Sequence, residues 1–106
     1  MEESERDWKL KLRYGKTKTP FKHYTVIASG KVGDLVEGFE CPQGSAYMGI
    51  KVWAESDDEA GDMIQIIGDQ IGFTVTGNIE IYITEPEQPP QENPFGYDIT
   101  FTPFSN

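Results

Sequence analysis

Apolar and polar residues alternate at every second position in five separate stretches of this chain, and once only, from Ser56 to Gly72, the spacing lengthens to that of a helix. Alternation puts successive side chains on opposite faces of a strand, whereas recurrence at three and four residues gathers them on one side of a helix. The pattern therefore predicts an α+β fold: a twisted, largely antiparallel sheet of about five strands in the order β-β-β-α-β-β, with one amphipathic helix packed on one face.

The first predicted strand sets Trp8, Leu10, Leu12 and Tyr14 on one face and Lys9, Lys11 and Arg13 on the other. A polar connector leads to a second strand from His23 to Val32. A glycine-rich loop from Gly33 to Gly44 follows, with a short extended piece at Leu35 and Val36 and Phe39 turned inward, then a third strand from Ala46 to Ala54. Ser56, Asp57, Asp58 and Glu59 form a capping box, in which the serine oxygen and the glutamate three residues on satisfy free amides at a helix start. At 100° per residue Ala60, Met63, Ile64, Ile67 and Ile71 share one stripe, with Asp58, Asp62 and Asp69 opposite. Gly61, Gly68 and Gly72 share the flank beside the stripe. Interior glycines cost helix stability, so Gly61 and Gly68 predict close packing against backbone or a bulky aromatic, and Gly72 predicts a left-handed helix end with Phe73 folding back onto it. Two further strands are expected at 79–84 and 97–102. The prolines between Pro86 and Pro94 cannot join a ladder and predict an extended, solvated loop. The inward set would be Trp8, Leu10, Leu12, Val26, Met48, Ile50, Val52, Ile79, Ile81, Ile83, Ile99 and Phe101.

A length of 106 residues with 37% hydrophobic side chains suits one core. Residues 1–6 read as a frayed acidic N-terminus and 7–106 as a single α+β domain with a Pro-rich loop at 86–96. The acidic start has no apolar stretch behind it, so no signal peptide and no membrane span are expected. The lone Cys41 fits a reducing compartment, and the expected location is cytoplasmic.

Charge divides the chain in two. All nine Lys and Arg lie at or before Lys51, and from Val52 onward there are eleven Asp and Glu with no Lys, Arg or His. The net charge of −9 argues against duplex nucleic acid, whose phosphates are neutralised by Lys and Arg, and against anionic membranes. It favours a protein partner with a basic surface.

Two surfaces carry the functional expectations. The acidic helix back, Asp58, Asp62 and Asp69, would face a cationic protein, since complementary charge speeds encounter and excludes wrong partners; the bland reading is a solvated helix face. The sheet face opposite the helix would display Lys9, Lys11, Arg13, His23, Tyr47, Lys51, Trp53 and Tyr82, a mixture that can stack on planar groups and hold anions, as sheet-based binders of single strands do. Its bland reading is an ordinary solvent face, with some aromatics under loops. Asp58 and Asp62 lack the glycine-turned loop of a calcium site, so no metal is expected, and no cofactor is. His23 has no evident partner, and neither it nor Cys41 belongs to a nucleophile motif, so no catalytic residue is assigned. Asp98 reads as a paired surface carboxylate. The long connection before Tyr97 keeps Phe95 and Tyr97 among candidate contacts. The expected function is that of a small acidic accessory or regulatory protein, monomer or homodimer, that binds without chemistry of its own. The alternative is a binder of, or enzyme acting on, a planar anionic ligand such as a nucleotide at the sheet face.

Overall fold

The computed structural model describes Leu12 and residues 19–104. Within them the chain runs β1 (Lys22–Val32), β2 (Gly44–Ala54), α1 (Asp57–Ile71), β3 (Phe73–Ile83) and β4 (Phe95–Pro103). The strands form one antiparallel sheet in the spatial order β3-β1-β2-β4, so the sheet has four strands rather than five and the order is β-β-α-β-β. Of the segment expected as a first strand only Leu12 is described, and it is helical; Trp8, Leu10, Tyr14 and the cations Lys9, Lys11 and Arg13 lie outside the described residues.

β1 and β2 pair without interruption from Lys22 opposite Ala54 to Val32 opposite Gly44. Their alternation puts Tyr24, Val26, Ala28 and Val32 beside Ala46, Met48, Ile50, Val52 and Ala54 on one face, and every one of these is buried. α1 lies over that face, across β3, β1 and β2. It starts as the sequence indicates: the Ser56 hydroxyl accepts from the Glu59 amide at 3.2 Å. The reciprocal bond differs by one residue, because the Glu59 carboxylate accepts from the amide of Glu55 at 2.9 Å.

The helix ends at Gly72, left-handed with φ 108°, whose amide donates to Gly68. The 33–44 loop folds over this end, Gly33 and Val36 donating to the carbonyls of Gly72 and Ile71, so the piece at Leu35 and Val36 closes a helix end instead of extending a strand, with Leu35 packed against the core. Gly68 is where the helix touches closest: a Cβ there would stand 2.9 Å from the Phe73 carbonyl and 3.3 Å from its ring. Phe73 is fully buried and fills the space between helix and sheet. Gly61 does not meet the expectation of close packing, since its Cβ would make only an ordinary contact with Ile81.

The helix is rolled relative to its apolar stripe. The buried residues are Ala60, Gly61, Ile64 and Gly68, an arc centred roughly 60° from the stripe toward the glycine flank. Small residues let the backbone approach the sheet on that side, and Met63 and Ile67 on the other side are left only partly covered.

Two bulges depart from the sequence pattern. In β3, Thr76, Gly77 and Asn78 together oppose Ser29, so what reads as a break before Ile79 lies inside one long strand that already begins at Phe73. In β4, Asp98 and Ile99 together oppose Ile50, and Asp98 takes φ 54°, a conformation Asp tolerates better than most residues. The extra residue reverses the face: Phe101 opposes Met48 on the helix side, while Tyr97 opposes Lys51 on the other. Of the expected inward set, Ile79, Ile81, Ile99 and Phe101 pack against the core and Ile83 does not. Ile83 lies on the outer strand beside the first turn of α1, lines a cleft with Tyr24 and Asp57, and is 78% exposed. Among the described residues no helix is long and apolar enough to cross a membrane.

Candidate functional site

On the sheet face away from α1, one end is roofed and the rest is open. Under the roof, His23 opposes Trp53 on the neighbouring strand, and their rings meet edge to face at 5.1 Å. Both are 4% exposed, so neither is the surface residue that strand alternation implies. The segment from Thr84 to Gln88 covers them. His23 Nδ1 stands 3.1 Å from the Thr84 carbonyl, which can only accept, so Nδ1 carries the proton and Nε2 accepts from the Tyr97 hydroxyl at 2.7 Å. The Tyr97 oxygen in turn accepts from the Glu87 amide at 2.9 Å and the Gln88 amide at 3.3 Å. Trp53 Nε1 donates to the Gln88 carbonyl at 2.8 Å, and the Thr25 and Thr84 hydroxyls are 2.9 Å apart. Among the described residues no buried side-chain polar atom is left unsatisfied.

The electrostatics match a neutral imidazole. Burial lowers the His23 pKa below the ordinary 6.5; the Thr84 carbonyl raises it in part, Lys51 lowers it, and Glu87 and Glu85 raise it. Lys51 is held firmly protonated by its hydrogen bonds to Glu87, at 2.6 Å, and to Asp98, at 2.9 Å. The bulge at Asp98 puts Asp98 within reach of this cation and Tyr97 on the face where its hydroxyl meets His23.

In the open part of the face, Tyr47 is 46% and Tyr82 49% exposed. They do not form a shared platform. Tyr82 sits beside Thr25 and donates to Glu80 at 3.2 Å, which raises its own pKa, whereas Tyr47 sits beside Ser29 and packs on Phe104 at 4.5 Å. The residues expected to make an aromatic and basic surface are thus separated. His23 and Trp53 are roofed over, Lys51 is shared between two carboxylates, Tyr47 and Tyr82 stand apart, and Lys9, Lys11 and Arg13 lie outside the described residues.

The acidic surface is arranged differently. Asp58, Asp62 and Asp69 are all exposed on the outer side of α1, within about 40° of arc and over about 16 Å of helix length. None forms an ion pair among the described residues. Asp57 and Glu59 stand at the N-terminal end of the same helix, where the dipole favours negative charge. Beside this stripe, Met63, Ile66 and Ile67 face Pro94 and Phe95 across an open groove of about 480 Å³, with Glu59 and Asp62 on its rim. Comparison with family models, curated protein sequences and solved structures finds no match.

Sequence reasoning passes over two parts of this arrangement. Tyr97 is the hub of the roofed cluster, and only the long preceding loop points to it. The groove is missed because Met63 and Ile67 read as core and Ile66 as an isolated apolar residue on a polar face; the roll of the helix makes them one surface.

Proposed function

We propose that this protein is a small acidic accessory module that recognises a protein with a basic surface through the outer side of α1. The observation that carries the reading is the row Asp58, Asp62 and Asp69, exposed together on one helix in a chain of net charge −9. Fixed on a helix and without an ion pair among the described residues, these carboxylates keep their field for a cationic partner, which raises the encounter rate and makes binding sensitive to salt. A planar anionic ligand on the other face has less support, since it would meet Asp98 and Glu87 around Lys51 and would have to lift residues 84–88 to reach Trp53. The test is capture at low ionic strength by the immobilised chain, with Asp58→Asn/Asp62→Asn/Asp69→Asn as the control and thermal melting to show that the control is folded. A basic protein retained by the native chain, released by salt and absent from the triple variant is the expected result. Retention unchanged in the triple variant, or unchanged by salt, overturns the reading.

A further inference from the structure

We infer that the groove between α1 and the start of β4 receives an amphipathic basic helix of the partner protein, its apolar face on Met63, Ile66 and Ile67 and its Lys or Arg residues against Glu59 and Asp62. The inference rests on the proposed function and names the contact within it.

The first argument is the shape of the apolar surface. Four strands at about 4.8 Å make a sheet about 19 Å wide, and one helix covers about 10 Å of it. Among the described residues, α1 lies over β3, β1 and β2 and does not extend over β4. Over the middle of β4 the gap is filled by Phe39, whose ring meets Phe101 edge to face at 6.2 Å. At the Phe95 end no described residue fills it, and Ile66 is 57% exposed. Glu59, Asp62, Met63, Ile66 and Gln70 line the groove from the helix. That spacing of three and four residues makes a straight wall about 16 Å long, the length of about three turns of a second helix laid alongside.

The second argument is charge. The rim carries Glu59 and Asp62, with Asp58 and Asp69 on the adjoining stripe, and no Lys, Arg or His occurs after Lys51. Lys51 itself is on the opposite face of the sheet, engaged by Glu87 and Asp98. An apolar segment flanked by cations satisfies both floor and rim. A second copy of this chain would bring its own net −9 to an acidic rim, so self-association is disfavoured.

The experiment uses the full chain and two synthetic helical peptides of equal positive charge, one of Lys and Leu with leucines at i, i+3/i+4 and i+7, the other with Gln in place of each Leu. The expected result is that the Leu peptide binds about tenfold or more tightly than the Gln peptide, the gain of burying one or two leucine side chains. It should shift the methyl resonances of Met63, Ile66 and Ile67, and Ile66→Ser should erase the preference, whereas Asp62→Asn should weaken both peptides. Because Ile66 is already exposed, its replacement leaves the fold intact, as amide spectra would show. Equal, salt-sensitive binding of both peptides overturns the groove and leaves the acidic-face reading standing; binding of neither overturns both. Cross-peaks from the Ile66 methyls to residues 8–14 of the free chain, or a dimer by light scattering that buries Ile66, would assign the groove to this chain itself and also overturn the inference.

Discussion

On one side of the sheet α1 seals Val26, Ile50 and Phe73 from water by carbon contacts, while on the other residues 84–88 close over His23 and Trp53 through hydrogen bonds and an ion pair. Among the described residues the titratable group buried on the helix side is Tyr24, and burial pushes its phenol above the ordinary 10, away from neutral pH. The loop side depends on the protonation state of one imidazole and on one hydroxyl that donates once and accepts twice. Apolar burial is non-directional and tolerant of small shifts, whereas a polar cluster under a loop is stable only while every donor faces an acceptor. Rigidity should therefore reside on the helix side and conditional opening on the loop side.

Phe73→Ala attacks the helix side at its centre and should lower global stability by about 3–5 kcal/mol, because a buried aromatic leaves a cavity that the surrounding strands cannot close. Urea unfolding followed by circular dichroism measures it, and a loss under 1 kcal/mol would mean that the helix side is not the stable half. Tyr97→Phe removes one oxygen from the loop side and strands an imidazole nitrogen and two amides; the expected cost is about 1–3 kcal/mol. Unlike the first change, it should appear locally, as faster hydrogen exchange at Glu87 and Gln88 and altered Trp53 emission, while amides in β1 and β2 keep their protection. If β1 and β2 lose protection equally, the two sides unfold as one unit. Lys51→Gln removes two ion pairs whose carboxylates are well exposed, so at most about 1 kcal/mol is expected, fading in high salt. A salt-independent loss would place Lys51 among the core determinants.

The smallest expected effect is a slope. The folded chain binds a proton at His23 less readily than the unfolded chain, so the unfolded state gains protons first as pH falls. The contribution of His23 to stability is complete above the ordinary 6.5, declines as pH drops below it toward the lowered folded value, and is flat beneath that. Protonated Nε2 would also face the Tyr97 hydroxyl donor to donor, so Tyr97 must turn and release Glu87 or Gln88. Denaturant midpoints compared between pH 7.5 and 5.5 should fall more for the native chain than for His23→Gln; equal falls would show that the imidazole is not the titrating element.

Much of the helix side is legible in the residues. Ser56 and Gly72 mark α1 to within a residue because caps are local bonds, and the alternation from His23 to Val32 and from Ala46 to Ala54 marks β1 and β2 because both bury one face. The loop side is much less so. Tyr97, Thr84 and His23 are 13 to 74 positions apart and nothing local relates them. The bulge at Asp98, which decides that Tyr97 opposes Lys51 rather than Val52, leaves no mark in a pattern where Tyr97, Ile99 and Phe101 alternate evenly.

By itself the sequence determined what short-range physics controls: where β1, β2 and α1 lie, which helix face is acidic, and that the second half of the chain has no cation to neutralise it. The tertiary structure decided the strand order β3-β1-β2-β4, the roll of α1 onto Gly61 and Gly68, and the closure of the proline loop over Trp53. Those choices roofed over part of an expected aromatic and basic platform and left one edge of the core stripe, Met63 and Ile67, beside a groove. The reason is that periodicity fixes which side chains share a face, but what covers a face depends on contacts between segments far apart in the chain, and these are set by packing the whole molecule at once.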